Sequence, residues 1–216
     1  MKILITAGPT REPLDPVRYL SNRSSGKMGY ALAEAAREAG HEVILISGPV
    51  VISAPAGVTL VQVETARQMY EAVRDRLEGQ NAAIFSAAVA DYRPASQAEQ
   101  KIKKTGDTLT LTLEKTEDIL GSARSVFGFT GYLAGFAAET ERLLEHAQDK
   151  LVRKGCDLVI ANDVSQAGIG FDSEENEVTL CLPDASPFPL PRQSKAVLAR
   201  ELIAFITQQA SLKKLF

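Results

Sequence analysis

The chain of 216 residues contains no tryptophan, two histidines and two cysteines, and each scarcity removes a class of chemistry. Cys156 and Cys181 stand alone, without C-x-x-C spacing. That is a poor metal site and a poor disulfide framework, so both read as reduced, partly buried thiols. His41 and His146 lack the serine or cysteine and acid neighbours of a hydrolytic triad and read as non-catalytic. H-E-x-x-H and G-x-S-x-G do not occur. No apolar run approaches the roughly 20 residues that a membrane span needs. The opening MKILITAGPT enters a strand directly, with no basic segment followed by an apolar one, so no signal peptide is expected. With lone thiols and no export signal, the expected compartment is the cytoplasm. Lysine and arginine (24) do not outnumber aspartate and glutamate (27), and the net charge of −3 argues against a general nucleic-acid binder. Neither an internal repeat nor a low-complexity tract is visible.

What is there is ordinary globular material, 45% hydrophobic and 24% charged. The length suits one large domain, or one domain with an arm, that buries about 70% of its unfolded surface. Apolar strands are predicted at 2–7, 42–47, 82–90, 132–138, 157–161 and 178–182. Helices are predicted between them. Met28, Ala31, Leu32, Ala35 and Ala39 fall on one helical face, with Gly40 as a C-cap. Thr65 and Gln68 form a capping box ahead of Met69, Ala72, Val73 and Leu77. A short helix is expected over 118–123. Leu143, Leu144, Ala147 and Leu151 mark another, and Ser194 caps a last one with Val197, Leu198, Leu202 and Ile206. Alternating apolar strands and helices mean a mostly parallel sheet covered on both faces, a doubly wound Rossmann-like α/β domain. Segments 92–113 and 165–190 interrupt the alternation and read as an added β-arm and flap. Within the first, Leu109, Leu111 and Leu113 alternate with threonines, the period of a half-buried strand.

The polar loop after the first strand holds Gly8, Thr10, Arg18, Asn22, Ser24 and Gly26, and a helix starts near Lys27. Small residues, backbone N–H groups and positive charge at the carboxyl edge of a sheet suit an anion or nucleotide. The loop is neither G-x-G-x-x-G nor a complete P-loop, since Met28 stands where a magnesium-binding Ser or Thr would be. Arg18 can fork onto a phosphate or carboxylate. Lys101, Lys103 and Lys104 can belong to a solvated edge or to a mobile flap that closes on a triphosphate. Asp91 ends the third strand, where it could read a base or help hold a metal bound to phosphates. Lys150 and Lys154 share a face at the end of a helix, either balancing its dipole or reaching a nucleotide.

The runs GPTREPLDPVRYLSNRSSGKMG, SAAVADYRP, KIKK, GFAAET and ANDVSQAGIGFDSEENEV together resemble the phosphopantothenate–cysteine ligase family of coenzyme A biosynthesis. They run in order from Gly8 to Val178. The resemblance implies a CTP-dependent ligation of 4′-phosphopantothenate to L-cysteine through an acyl-cytidylate, with Mg²⁺ serving the triphosphate and no flavin in this chain. It implies a single ligase domain over 1–216. Asn22 and Lys101 would be catalytic. Gly8, Thr10, Phe85, Ser86, Ala87, Asp91, Lys101, Glu117, Asp118, Ile119, Leu120, Phe136, Lys150 and Lys154 would hold the nucleotide. Bacterial members often have proline where this chain has Glu117. Arg18, Asn22, Ser24, Gly26 and Asn162 would take the phosphopantothenate end, and Asp91 would be the candidate metal ligand. The family also implies a homodimer paired through the β-arm, with neither nucleic acid nor membrane as partner. Bacterial members are often fused to a flavin-dependent decarboxylase, so this chain is expected to be a stand-alone ligase or an excised domain. Two other readings remain on the same fold. A nicotinamide oxidoreductase would want a glycine fingerprint and an acid after the second strand, where this chain has Ser47-Gly48. A non-catalytic nucleotide module could dispense with Asn22 and Lys101.

Overall fold

A computed structural model of the protein describes residues 1–104, 106–165 and 173–213. In chain order the elements are β1 (Lys2–Ala7), β2 (Arg11–Pro13), β3 (Tyr19–Ser21), α1 (Lys27–Glu38), β4 (Glu42–Ser47), β5 (Thr59–Gln62) and α2 (Ala66–Arg74). There follow β6 (Ala82–Phe85), β7 (Tyr92–Pro94), β8 (Leu113–Lys115), α3 (Ile119–Ser125), β9 (Tyr132–Glu139) and α4 (Leu143–Lys154). The last are β10 (Leu158–Asp163), β11 (Glu175–Cys181), β12 (Phe188–Ser194) and α5 (Lys195–Lys213).

Eight strands form one sheet in the order β12-β11-β10-β9-β6-β1-β4-β5. The six from β10 to β5 run parallel, and β11 and β12 continue antiparallel on the far side of β10. Alternation along β1 explains the two layers of helices. Ile3, Ile5 and Ala7 pack with α1 and α5, whereas Leu4 points to the face of α2, α3 and α4. All four are fully buried, as an apolar central strand requires. The connections reverse direction between β1 and β6, so the loops leaving these two strands part at the carboxyl edge of the sheet.

The predicted capping box at Thr65 is present: its Oγ1 accepts from Gln68 N at 3.2 Å, while Gln68 Oε1 accepts from Thr65 N at 3.2 Å. Gly40 follows α1 with φ of 80°, as its C-cap role demands. Other expectations need correction. The third strand stops at Phe85, and 86–90 form a loop zipped to the one after β1: Ala88 N donates to Gly8 O at 2.9 Å and Ala90 N to Thr10 Oγ1 at 3.0 Å. The alternation at 109–113 does not make a strand of that length. Only Leu113–Lys115 pairs, with Tyr92–Pro94, as a separate two-stranded ribbon. Leu109, Leu111 and Leu113 are 57%, 37% and 42% exposed, because no described residue covers them. Of the segment 165–190, the described part enters the main sheet as β11 and the start of β12 rather than projecting as an arm; 166–172 lie outside the described residues. Of the apolar residues that mark α4 and α5, Leu144 and Val197 are exposed while Ala147 and Leu198 are buried. Strand β12 forms one edge of the sheet and carries Pro189 and Pro191.

Gly29 sets how closely α1 lies on β1, since a Cβ there would sit 2.5 Å from the Cβ of Ala7. Gly29→Ala should therefore destabilise the fold by about 2 kcal/mol through overpacking, more than the ~1 kcal/mol that alanine gains in helix propensity. Urea unfolding measures the sign; a more stable variant would show that α1 can shift outward without loss.

Candidate functional site

The parted loops open a cleft of ≈ 950 Å³ along the carboxyl edge of the sheet. One wall is the start of α1, the floor is the 85–91 loop, and the other wall is built from 115–120, the end of β9 and the inner side of α4. Of the residues predicted from the sequence, Asn22, Ser24, Gly26, Phe85, Ser86, Ala87 and Asp91 line this cleft, as do Glu117, Asp118, Ile119, Leu120, Phe136, Lys150, Lys154 and Asn162. They come from loops far apart in sequence and meet because each follows or faces a strand end.

Asn22 is held from below. Its Nδ2 donates to the carbonyls of Ala88 and Val89, at 3.1 and 3.0 Å. Both amide hydrogens are thereby used, which leaves Oδ1 as the atom able to accept. Ser24 Oγ accepts from Gly26 N at 3.4 Å, and Gly26 takes the left-handed conformation at the start of α1 with φ of 77°. Among the described residues no side chain caps α1 at Gly26.

On the opposite wall Lys150 donates to Phe136 O at 2.6 Å. Burial pushes its ammonium below the ordinary lysine value. Lys154 is ion-paired with Asp118, whose Oδ1 also accepts from Gly121 N at 3.0 Å and so caps α3. Burial alone would raise the Asp118 carboxyl, but the Lys154 ammonium and the Gly121 N–H together hold it below its ordinary value. Glu117 receives Arg93 Nη1 at 3.1 and 3.0 Å, and the same arginine donates through Nε to Glu114 at 2.8 Å. The guanidinium thus ties the ribbon to the pocket wall. Asn162 is 8% exposed and its Oδ1 has no hydrogen-bond partner among the described residues.

Four predicted residues fall outside the lining. Gly8 and Thr10 act on the loop itself; Thr10 is fully buried and its hydroxyl is used by Ala90 N. Arg18 does not face the cleft. Its Nε and Nη2 donate to Asp15 Oδ2 at 3.1 and 2.6 Å, and Nη2 also donates to Ile102 O at 2.8 Å. The same Asp15 oxygen accepts from Ile102 N at 3.0 Å. Arg18 and Asp15 therefore clamp the segment that carries Lys101, which is itself exposed. Sequence reasoning also missed lining residues. His146 lies in the wall with Nδ1 3.1 Å from Glu139 Oε2. Lys27 and Lys195 enter from the starts of α1 and α5, and buried Asn176 from β11. The period of α5 carries the only sequence signal for Lys195: it stands on the stripe of Leu198, Leu202 and Ile206.

These features define a doubly wound α/β protein with a cation-lined cleft at its topological switch point. The chain belongs to the family of the DNA/pantothenate metabolism flavoprotein C-terminal domain, whose model matches residues 1–210. It is 49% identical over 203 residues to the coenzyme A biosynthesis bifunctional protein CoaBC of Vibrio vulnificus YJ016, covering 93% of this chain and 50% of that protein. Identity to the Escherichia coli K12 protein of the same name is 48% over 206 residues, covering 94% of this chain and 50% of the relative. The chain thus spans about half the length of these relatives. A crystal structure of the C-terminal domain of CoaBC superposes with a TM-score of 0.82 at 41% identity, covering 97% of this chain and 95% of that one.

The clamp on the Lys101 segment makes a prediction. Asp15→Ala should raise trypsin cleavage after Lys101, Lys103 and Lys104 by about tenfold under native conditions, through local opening. The Arg18 guanidinium, with backbone N–H groups, holds the Asp15 carboxyl well below the usual range. The folded value is the lower one, so the clamp stabilises fully above the unfolded value near 3.8 and is lost only as pH falls through the folded value. Hydrogen exchange at the Ile102 amide, corrected for intrinsic rate, should stay equally protected from pH 7 to pH 5 in the wild type. Loss of protection in that range would contradict the clamp.

Proposed function

We propose that the chain ligates 4′-phosphopantothenate to L-cysteine using CTP, giving 4′-phosphopantothenoylcysteine, CMP and pyrophosphate in coenzyme A biosynthesis. The observation that carries this reading is Asn22: its carboxamide is fixed by two carbonyls at the switch point with only Oδ1 left to accept, across the cleft from Lys150 and Lys154. The names of the bifunctional relatives support the pathway.

Two balanced steps follow. A carboxylate oxygen of phosphopantothenate attacks the α-phosphorus of CTP; the bond to the β-phosphate breaks, and pyrophosphate leaves with the electron pair. The cysteine nitrogen then attacks the acyl carbon of the mixed anhydride. The acyl carbon–oxygen bond breaks, CMP departs, and the nitrogen gives up its proton. Asn22 Oδ1 is suited to the second step because it accepts from the incoming amine and orients its lone pair. Lys150 and Lys154, already held by Phe136 O and Asp118, would neutralise charge on the nucleotide phosphates. Phe136 and the 117–120 backbone would receive the base, and Asn162 Oδ1 suits a hydroxyl or amide N–H of the pantothenate arm. Lys101 would close over the phosphates from its clamped segment.

Among the described residues no three His, Cys, Asp or Glu side chains gather to hold a metal. Asp91 is an exposed carboxylate of the cleft; of the other exposed ones, Asp118 is paired with Lys154 and Asp149 with Arg153. That donor set fits Mg²⁺, which binds through one or two carboxylates and otherwise through phosphates and water. Asp91 would be its protein ligand, and the ion would supply charge neutralisation on the triphosphate. Two features count against a nicotinamide enzyme. No acid ends β4, and Ser47 is buried there, accepting from Tyr30 Oη at 3.0 Å and donating to Gly48 O at 2.8 Å. The exposed Leu109, Leu111 and Leu113 support a homodimer through this arm. The bifunctional relatives, of which this chain spans half, support a second activity, fused or separate; the family resemblance makes that activity a decarboxylase acting before the ligase.

The deciding assay is pyrophosphate release with CTP, Mg²⁺ and 4′-phosphopantothenate, with and without cysteine, and again with ATP. Cysteine-dependent turnover with CTP is expected; no release with either nucleotide would end the ligase reading. Lys101→Gln should lower kcat by about a hundredfold, with the urea midpoint unchanged because the residue is exposed. Asn22→Asp sets a carboxylate against two carbonyl oxygens and should form acyl-cytidylate, detectable by mass, that cysteine no longer discharges.

A further inference from the structure

Helices α1 and α5 lie together on one face of the sheet, and both begin at the cleft. Each has a lysine at its first position, Lys27 and Lys195, and neither has an acid in its first turn. This reverses the usual preference, because a helix start carries partial positive charge and favours anions. Lys195 is further constrained. It is 6% exposed and lies on the same stripe as the buried Leu198, Ala199 and Leu202. Lysine is rarely so buried. Two buried amides, Asn176 and Asn162, line the same cleft, and Asn162 Oδ1 has no hydrogen-bond partner among the described residues. Glu174 joins the two helix starts: its carboxylate pairs with Lys27, and its carbonyl accepts from Lys195 N at 2.9 Å. The Lys27 ammonium, helped by the charge of Lys195, holds the Glu174 carboxyl below its ordinary value. The Glu174 side chain is 81% exposed, so it can leave at little cost.

Resting on the ligase reading, we propose that Lys195 is a phosphoryl-binding residue of the cleft, acting with Lys27 and the start of α1, and that Glu174 competes with the ligand for this pair of cations. The shared chemistry is a phosphate oxyanion. Its two sources in the reaction are the pyrophosphate of CTP and the monoester phosphate of 4′-phosphopantothenate. Both carry dispersed negative charge, which the start of α1 and two ammonium groups match.

The test titrates inorganic pyrophosphate calorimetrically into the wild type, Lys195→Gln and Glu174→Gln, and measures KM for 4′-phosphopantothenate in each. Lys195→Gln should weaken one of the two by about tenfold, the loss expected for one charge-assisted hydrogen bond. Glu174→Gln should strengthen the same one by about threefold, because the competing charge is gone. A change in pyrophosphate binding assigns the seat to the nucleotide; a change in KM alone assigns it to the substrate monoester. Urea unfolding checks that Lys195→Gln is folded, and the exposed Glu174 variant keeps the test open if it is not. Ligation by the wild type with both quantities unchanged in both variants overturns the seat and leaves the ligase reading standing. Pyrophosphate binding that falls in Lys195→Gln, in a protein that ligates nothing, sinks the ligase reading and keeps the seat.

Discussion

Everything in this molecule depends on β1 being covered on both faces and paired along both edges. Its backbone is shared between β4 and β6, and its side chains are divided between two layers of helices. A strand so enclosed has little room for polar side chains along its length; buried Thr6, next to its end, is satisfied by Ala87 N at 3.3 Å. Polar chemistry is displaced to the point where the strand ends. The loop after β1 and the loop after β6 therefore gather the asparagine, serines and glycines, and they stitch to each other through Gly8, Thr10 and Ala88. Residues that do the stitching are not available to a ligand. That separates Thr10, whose hydroxyl is occupied, from Asn22, whose oxygen is not.

Three cations of the cleft share a second property: the partner described for each is of modest strength. Lys150 rests on a carbonyl, Lys154 on the capping carboxylate of α3, and Lys27 on an exposed glutamate. Such partners orient an ammonium without committing it. A phosphate, with more charge and several acceptor atoms, can replace a carbonyl or a solvated carboxylate at small cost. Arg18 is the contrasting case. It forks onto Asp15, whose side chain is fully buried, and that pair holds a segment in place.

The sequence was informative where one physical demand acts alone. The capping box at Thr65, the C-cap at Gly40 and the buried strands 2–7 and 42–47 were legible because local hydrogen bonding or burial decides them. The cleft lining was legible through family resemblance, since runs such as SAAVADYRP keep their order around strand ends. It was opaque where two demands compete. The alternation of Leu109, Leu111 and Leu113 is a strand pattern with no full-length neighbour among the described residues, and only its last residue pairs. Arg18 has the chemistry of a phosphate ligand, but an aspartate three residues earlier reaches it first. Lys195 looks like a surface residue at a helix start, and only the packing of α5 on α1 turns it toward the cleft.

The edge strand β12 bears on how the protein behaves in a crowded solution. A sheet edge offers unpaired N–H and C=O groups on which another chain can add as a strand. Pro189 and Pro191 remove two donors from that edge, and proline also stiffens the backbone against a neighbour's register. The opposite edge, β5, is only four residues long. The sheet is thus bounded at one side by missing donors and at the other by brevity, so its strand count is fixed by covalent chemistry and not by dilution.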